Sequence, residues 1–246
     1  MTAVSESGRR RVFITGGTSG IGKAVAARLS QSADVWIVGS RAETVAAALA
    51  DLPGVRGSVC DVSDQGQCIA AVAAANEALG GLDGAFINAG IDGQAVAGLD
   101  IDLAEFARLL SINLVGALGV AQALVPVLSR PGTLVFNASM NGVRPEALFA
   151  DYNASKAGVI SVAKTLALEL GPQGISAIAL CPGYFPTPMT QVYLEDPEIS
   201  SELLAKVPLG RFGTLAEIGE LVDFLLSPAA RYLNGSVISP DGGVSI

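Results

Sequence analysis

Tyr152 and Lys156 lie four residues apart in the stretch DYNASKAGV (residues 151–159), which is otherwise mostly small and apolar. A helix would place both side chains on one face, and each has an ordinary pKa near ~10. Because an ammonium beside a phenol favours the phenolate, we expect Lys156 to lower the pKa of Tyr152 toward neutrality. Tyr152 would then exchange a proton with a carbonyl or alcohol oxygen. Taken alone, such a pair is more often two exposed side chains on a helix surface.

The absence of histidine narrows the chemistry that the chain can perform. It excludes a Ser-His-Asp triad, a His-ligated zinc site and a histidine general base. The three cysteines, Cys60, Cys68 and Cys181, show neither CxxC nor metal-ligand spacing, so we expect them to be small buried hydrophobes and expect no metal site. Proton chemistry must use Tyr, Lys, Asp, Glu or Cys.

The charge balance limits the partners of the protein. The 246 residues carry a net charge of −8, which argues against nucleic acid or an anionic membrane as a partner. The most apolar long stretch, Leu114 to Leu128, is interrupted by Gln122 and Pro126 and is shorter than the ~20 residues of a membrane span. Residues 1–9 are interpreted as a flexible tail without the apolar region of a signal peptide. A cytoplasmic protein is the simplest expectation.

The elements that must position these residues alternate between strand and helix. Apolar, β-rich runs predict strands at 11–15, 34–39, 54–60, 82–88, 132–139, 175–181 and 235–240. Ala-rich segments with helical periodicity predict helices near 20–32, 42–50, 64–79, 102–129, 152–170 and 215–226. This alternation predicts an α/β fold: a single-domain, Rossmann-type, doubly wound parallel sheet of about seven strands with helices on both faces.

Within that single domain, 10–246, we assign a cofactor half to about 10–135 and a catalytic and substrate half to about 136–246. The stretch 183–213 lacks clear periodicity and follows the end of a strand. Because open α/β sheets bind ligands at that edge, we expect this loop to be a lid or a specificity element.

The stretch TGGTSGIG (15–22) joins the first strand to the first helix. Gly16 permits a tight turn, Gly20 lets the backbone approach a pyrophosphate, and Gly22 lets the helix pack closely on the strand. The helix N-terminus would face the anion. Glycines alone are weak evidence, because turns use them for conformation; placed after the first strand of a βαβ unit, they predict a dinucleotide cofactor.

The glycine spacing TGxxxGxG and six further stretches resemble the short-chain dehydrogenase/reductase family over essentially the whole chain. These stretches occur in the order of the family: INAG (87–90), SINLVGA (111–117), NASMNG (137–142), YNASK (152–156), CPGYFPTPM (181–189) and LNGSVISPDGG (233–243). Among relatives, the pattern is most similar to bacterial reductases of the 3-oxoacyl-[acyl-carrier-protein] type.

The resemblance implies a catalytic tetrad of Asn113, Ser139, Tyr152 and Lys156. Tyr152 is implied to be the acid/base and Ser139 to hold the substrate oxygen. Lys156 is implied to bind the nicotinamide ribose, and Asn113 to position a water in a relay to solvent. Individually, Ser139 would be an ordinary strand-end cap and Asn113 a helix residue with a local backbone hydrogen bond. Their joint placement favours catalysis.

The choice of cofactor depends on the end of the second strand. Gly39 stands where an acidic residue would bind the 2′-hydroxyl of NAD, and Ser40 and Arg41 suit the 2′-phosphate of NADP. NADP(H) is favoured and NAD(H) stays possible. Arg41 alone could be a solvated first-turn residue, and Ser19 occupies a position where many NADP-using relatives carry a basic side chain.

Further cofactor contacts follow from the resemblance. Asp61 is implied to contact the adenine, although a turn before the helix at 64 would also explain it. Thr187 is implied to reach the nicotinamide amide, or is otherwise a loop hydroxyl, and the NAG stretch flanks the cofactor or is only a turn. The full set of predicted cofactor contacts is Gly16, Thr18, Ser19, Gly20, Ile21, Gly22, Ser40, Arg41, Asp61, Val62, Asn88, Ala89, Gly90, Tyr152, Lys156, Pro182, Gly183 and Thr187.

The acidic chain is a poor match for an acidic acyl carrier protein, which needs basic docking residues. It offers only Arg130 near one expected contact, and Gln173 stands where such reductases tend to have a basic residue. We therefore expect a small-molecule carbonyl or alcohol substrate, with 3-oxoacyl-ACP as the alternative. The side chains expected to line its pocket, each of which packing would also explain, are Met140, Arg144, Glu146, Phe149, Tyr184 and Phe185.

The long apolar segments 102–129 and 152–170 carry few charges. The resemblance implies a homo-oligomer, a tetramer or dimer, in which they pair with another copy; burial within a monomer is the weaker alternative. The sequence thus predicts an NADP(H)-dependent oxidoreductase that interconverts a carbonyl and a secondary alcohol. The rival is a nucleotide-binding protein that kept the fold and lost turnover, and the intact four-residue set argues against it.

Overall fold

Seven parallel strands form the centre of the computed structural model, which describes residues 8–246. They are β1 (Arg10–Thr15), β2 (Ala33–Gly39), β3 (Arg56–Val59), β4 (Leu82–Ile87), β5 (Leu128–Asn137), β6 (Ile175–Leu180) and β7 (Val237–Ile238). Their order across the sheet is β3-β2-β1-β4-β5-β6-β7. The chain therefore runs outward from β1 in one direction and then in the other, so the strand order reverses between β1 and β4. This arrangement confirms the predicted doubly wound fold.

Nine α-helices connect these strands in the described residues. They are α1 (Gly20–Leu29), α2 (Ala42–Asp51), α3 (Gln65–Leu79), α4 (Leu103–Leu110), α5 (Ala117–Leu124), α6 (Ala150–Leu170), α7 (Gln191–Leu194), α8 (Pro197–Ala205) and α9 (Leu215–Leu225). A π-helical turn, Ser111–Gly116, joins α4 to α5. The helix predicted over 102–129 ends at Leu124, because the chain must enter β5 at Leu128.

The segment 183–213 is more regular than its sequence predicts, because it contains α7 and α8. Asp196 begins α8 by accepting hydrogen bonds from the backbone N–H groups of Glu198 and Ile199, and Pro197 fits the first helical position. A capping box, Thr214 with Glu217, begins α9.

Both faces of the sheet are buried. Phe13 and Ile14, successive residues of β1, are 1% and 0% exposed and point to opposite faces. Phe13 belongs to the core shared with α3, α5 and α6, and Ile14 to the core shared with α1, α2 and α9. All three cysteines are buried and free, as predicted.

Residues 1–7 of the predicted tail lie outside the described part of the chain, whereas Arg9 is held in place. Its guanidinium donates hydrogen bonds to the carbonyl oxygens of Ser30 at 2.8 Å and Ala33 at 2.7 Å. It also pairs with Asp34 at 3.1 Å. Contrary to the tail prediction, Arg9 is ordered against the start of β2.

The continuous helix Leu103–Leu124 is apolar on two sides. Its 22 residues and mean hydropathy of 1.5 meet the length and composition criteria for a membrane span. The core helix of a soluble protein meets the same criteria. Val120 and Leu124 are 1% and 0% exposed against the core, whereas Leu103 and Val115 are 76% and 63% exposed. One side of the helix is thus packed on the sheet and the other is uncovered in a single copy.

Candidate active site

The glycine turn between β1 and α1 makes a close backbone cradle. Gly16 has φ +62°, and a Cβ there would lie 2.9 Å from Asn88 Nδ2 and 3.0 Å from Ala89 Cα. A Cβ on Gly22 would lie 2.2 Å from the Gly16 carbonyl oxygen, so α1 packs directly on the turn. Ser19 caps α1 without a side-chain cap bond. The N-terminus of α1 therefore opens toward the cleft, as an anion site requires.

Asn88 ties together the ends of three strands beneath that turn. Its Nδ2 donates to the carbonyl oxygens of Thr15 at 3.0 Å and Gly16 at 3.1 Å. Its Oδ1 accepts from Asn137 Nδ2 at 2.9 Å. The NAG stretch thus links the ends of β1, β4 and β5 by hydrogen bonds. Oδ1 of Asn137 is buried without a hydrogen-bond partner among the described residues.

A cleft of about 450 Å³ opens above this strut. All the predicted cofactor residues line it except Gly22, which packs behind the turn. Residues of the cleft wall that the motif reading missed include Cys60, Ile91, Ile112, Asn137 and Met189. The backbone cradle, the open helix N-terminus and the elongated cleft fit a nicotinamide dinucleotide.

Tyr152 and Lys156 lie on α6 at the base of the cleft, as the helical spacing predicts. Lys156 Nζ is 5.5 Å from the centroid of the Tyr152 ring and donates to the Asn137 carbonyl oxygen at 2.9 Å. Ser139 follows the end of β5, and its hydroxyl accepts from the N–H of Asn141 at 3.2 Å. The structure brings Ser139, Tyr152 and Lys156 together, while Ser139 also serves as the ordinary cap that its position allows.

Asn113 lies behind this group in the π-helical turn, an irregularity often found at functional sites. Its Oδ1 accepts from the N–H of Ile91 at 2.8 Å, and its Nδ2 donates to the Ile91 carbonyl oxygen at 2.9 Å. A Cβ on Gly90 would lie 3.2 Å from Asn113 Oδ1 and 3.5 Å from Lys156 Nζ. Asn113 thus holds the loop after β4 next to the lysine; its part in a water relay stays a prediction.

The protonation equilibria of the pair differ from the sequence expectation. Burial lowers the pKa of Lys156 to about 8. Burial also raises the pKa of Tyr152, the negative charge of Asp92 raises it further, and a hydrogen bond with Ser139 acts in the opposite direction. The expectation that Lys156 brings the tyrosine pKa toward neutrality is therefore wrong for this site. Burial of the phenol and the negative charge of Asp92 set the direction of the shift.

Two other predicted cofactor contacts already have partners within the chain. Asp61 Oδ1 accepts from the N–H of Ser63 at 2.9 Å and from its hydroxyl at 2.7 Å, which is the turn that the sequence left as an alternative. Thr187 Oγ1 lies 3.1 Å from Thr190 Oγ1. A Cβ on Gly20 would lie 3.2 Å from Thr187 Cβ, so the loop after β6 passes over the glycine turn.

A second cavity of about 460 Å³ shares Ser139 and Tyr152 with the first. Five of the six predicted substrate residues line it: Met140, Arg144, Glu146, Phe149 and Tyr184. The sixth, Phe185, lines the cofactor cleft instead of this cavity. Its ring is 4% exposed, belongs to the core on the α1 side and stands where a Cβ on Gly213 would come within 2.3 Å.

Most of the rest of the second cavity comes from places that carry no motif. The missed residues include Asp92 after β4, members of α7 and α8, and the C-terminal segment: Met189, Thr190, Tyr193, Leu194, Ile199, Leu203, Lys206 and Val244. At its polar end, Tyr184 donates to Glu146 at 2.5 Å and Lys206 pairs with Glu146 at 3.5 Å. Within residues 8–246 there is no group of three or more His, Cys, Asp or Glu side chains that would hold a metal ion.

Known proteins share this fold and this sequence pattern. The family described as Enoyl-(Acyl carrier protein) reductase matches residues 16–245. Levodione reductase of Leifsonia aquatica is 38% identical over 251 residues, covering 96% of this chain and 94% of the relative. A crystal structure of levodione reductase matches with a TM-score of 0.90 at 35% identity, covering 96% of this chain and 97% of that one.

Two further relatives are reductases of carrier-bound substrates by name. The 3-oxoacyl-[acyl-carrier-protein] reductase MabA of Mycobacterium bovis is 34% identical, covering 100% of this chain and 99% of the relative. The structure of a 3-ketoacyl-(acyl-carrier-protein) reductase from Brucella melitensis, complexed with NADH, has a TM-score of 0.89 at 29% identity, covering 96% and 98% of the two chains.

The chain belongs to the short-chain dehydrogenase/reductase family. It is an oxidoreductase of that family, which acts on carbonyl or alcohol substrates.

Proposed function

We propose that the protein is an NADP(H)-dependent oxidoreductase that interconverts a small ketone and its secondary alcohol. The observation that carries this proposal is the position of Ser139, Tyr152 and Lys156 at the junction of two cavities. One cavity has the cradle and helix N-terminus that suit a dinucleotide, and the other is a largely apolar pocket. A carbonyl at that junction would face the cofactor cleft on one side and the phenol on the other.

Each residue of the group then has one task. A nicotinamide cofactor held in the cleft would supply the hydride for reduction of the carbonyl carbon and would accept it in oxidation. Tyr152 donates a proton to the carbonyl oxygen in reduction and takes it back from the alcohol in oxidation. Ser139 donates a hydrogen bond to the same oxygen and fixes its position. Lys156 holds the nicotinamide ribose, and because burial brings its pKa to about 8, it can exchange protons near neutral pH.

The preference for NADP(H) is supported by the end of β2. A Cβ on Gly39 would lie 2.6 Å from Thr18 Cγ2, so an acidic side chain has no room there unless the Thr18 side chain moves. Ser40 and Arg41 line the cleft at this point and are exposed. A guanidinium and a hydroxyl suit a phosphate better than a ribose hydroxyl.

A small free substrate is supported over a carrier-bound one. Arg130, the basic residue near one expected docking contact, donates to the carbonyl oxygen of Leu128 at 2.8 Å. Its guanidinium is therefore turned back onto its own strand. With Gln173 uncharged and a net charge of −8, little remains to attract an acidic carrier protein.

We also propose that copies of the chain associate through the apolar sides of α4, α5 and α6. Leu103 and Val115 on the Leu103–Leu124 helix and Leu168 on α6 are 76%, 63% and 80% exposed. Burying such side chains in an interface removes apolar surface from water. The outer sides of these helices would then be covered by another copy.

Turnover tests the proposed reaction. The purified protein is mixed with NADPH or NADH and a panel of small ketones, and the absorbance of the reduced cofactor is followed. We expect consumption of NADPH at higher kcat/KM than NADH. Tyr152→Phe should abolish turnover while cofactor binding is nearly unchanged, whereas Tyr232→Phe, which alters a tyrosine 102% exposed, should leave turnover intact. Retained activity in Tyr152→Phe contradicts the acid/base assignment.

A further inference from the structure

Asp92 is a carboxylate in the wall of the substrate cavity, close enough to Tyr152 to raise its pKa. The residue follows β4 and Ile91, at the point where the loop turns away from the cofactor cleft. Its side chain lines the cavity together with Ser139 and Tyr152. A charge at this position acts on whatever molecule lies over the phenol.

The loop that carries Asp92 is fixed to the first turn of α6. Asp151, fully buried, accepts from the N–H of Tyr152 at 2.7 Å through one oxygen. Its other oxygen accepts from the N–H of Gln94 at 3.0 Å and from Gln94 Nε2 at 3.2 Å. A Cβ on Gly93 would lie 2.6 Å from Asp151 Oδ1. The position of Asp92 relative to the tyrosine is therefore set by the same helix that carries the tyrosine.

Asp92 is hydrogen-bonded but has no ion pair with a cation of the cavity. Oδ1 accepts from the N–H of Gly93 at 2.9 Å, and Oδ2 accepts from the hydroxyl of Tyr193 at 3.0 Å. The carboxylate has about four lone-pair sites, so two neutral donors leave it with capacity for a third.

The basic residues that line the substrate cavity, Arg144 and Lys206, are engaged elsewhere, and so is Lys156 of the cofactor cleft. Lys206 pairs with Glu146 at 3.5 Å, Arg144 donates to the carbonyl oxygen of Val244 at 2.5 Å, and Lys156 donates to the Asn137 carbonyl oxygen at 2.9 Å. Burial of a carboxylate without a cation is costly, and here burial raises its pKa. The wall of the substrate cavity thus keeps a carboxylate as a hydrogen-bond acceptor, although its burial is unfavourable.

We propose that Asp92 is a specificity-determining residue that accepts a hydrogen bond from a hydroxyl group of the substrate, so that the protein takes neutral hydroxyketones and the corresponding diols. This inference rests on the proposed function and names its substrate class. A keto acid would bring a second negative charge next to Asp92, whereas the ammonium of an aminoketone would lose its hydration in a largely apolar cavity. A neutral hydroxyl donor satisfies the carboxylate without either cost.

The test compares matched ketones in the wild-type protein and in Asp92→Asn. Acetoin carries a hydroxyl beside its carbonyl, butanone lacks it, and pyruvate carries a carboxylate instead. We measure kcat/KM for each ketone with NADPH. Since hydrogen bonds to a charged group are stronger than neutral ones, we expect acetoin to be preferred over butanone by roughly ten- to hundredfold in the wild type. Asp92→Asn should remove most of that preference and increase the relative rate with pyruvate.

Two further variants test whether the preference for acetoin comes from the carboxylate of Asp92 itself. Tyr193→Phe removes the hydroxyl that shares Asp92 and leaves the carboxylate in place, so it should keep or increase the preference for acetoin. Asp100→Asn changes an exposed carboxylate outside both cavities and should leave all three rates unchanged. Thermal unfolding and NADPH binding of Asp92→Asn are measured alongside, and both should match the wild type.

The outcomes distinguish this inference from the function on which it rests. Equal kcat/KM for acetoin and butanone in the wild type, or an unchanged ratio in Asp92→Asn, overturns the role of Asp92 while the oxidoreductase stands. Preference for aminoacetone over acetoin overturns the assignment of a hydroxyl donor. If no ketone is reduced with NADPH or NADH, the proposed function itself fails and this inference fails with it.

Discussion

Replacing Lys156 by methionine tests whether the buried lysine carries the free-energy cost that its surroundings imply. Lys156 is 3% exposed, and burial lowers its pKa from 10.5 to about 8. Because the unfolded chain binds this proton more tightly than the folded one, the wild type is penalised at low pH and gains stability as pH rises from about 8 to about 10.5. The whole difference corresponds to about 3 kcal/mol.

The measurable part of this effect lies between about pH 7 and about pH 9. With the two pKa values above, the free energy of unfolding of the wild type should rise by about 1 kcal/mol relative to Lys156→Met over that interval. Methionine has similar length and no charge, so it removes the pH-dependent contribution. Groups that titrate alike in both proteins cancel in the difference.

Urea unfolding of the cofactor-free protein gives this difference at one protein concentration. The fluorescence of Trp36, the single tryptophan and 9% exposed, reports the transition. Lys164→Met, on the exposed side of α6, is the matched control and should show no such rise. A difference between wild type and Lys156→Met that stays flat from about pH 7 to about pH 9 would refute the account of a destabilised buried ammonium.

Three other substitutions test the remaining assignments. Arg41→Ala should raise the KM for NADPH roughly tenfold by removing a charged donor to phosphate, with the KM for NADH unchanged; equal effects on both would contradict the NADP assignment. Gly93→Ala places a Cβ 2.6 Å from Asp151 Oδ1 and should lower the free energy of unfolding, measured in urea titrations, by about 1–3 kcal/mol. Gly98→Ala, whose Cβ would lie 3.6 Å from the nearest atom, should not lower it. Leu168→Glu, at a site 80% exposed, should reduce the mass measured by light scattering if α6 pairs with another copy, and an unchanged oligomeric mass would exclude that face.

The cofactor cleft is the part of the site that sequence predicts best, because its determinants are local. Gly16 and Gly22 must be glycine because the turn lies in close contact with the next helix and strand. This requirement is visible in a motif of only eight residues. The alternation of strand and helix then fixes which strand ends meet at the cleft. The same locality explains why the spacing of Tyr152 and Lys156 predicts their common face.

The substrate cavity is poorly predicted because its walls come from distant segments. Asp92 and Tyr193 are 101 positions apart and meet only when α7 folds over the loop after β4. The sequence places Phe185 in the substrate cavity, because it lies within a recognised motif close to substrate residues. Its ring instead packs in the core on the α1 side of the sheet. No local pattern of residues distinguishes these two outcomes.

The protonation state of Tyr152 depends on several opposing effects on its pKa, which the sequence spacing of Tyr152 and Lys156 does not reveal. One helical turn to Lys156 favours phenolate, but the ammonium itself is buried and has a pKa of about 8, so its charge is lost as the pH rises above that value. Burial and Asp92 both favour the neutral phenol. The chain's own residues thus hold the proton on Tyr152, the form that donates to a carbonyl oxygen. Asp92→Asn, which removes one of the two causes, should shift the pH dependence of alcohol oxidation to lower pH, because less work is then needed to form the phenolate that accepts the proton.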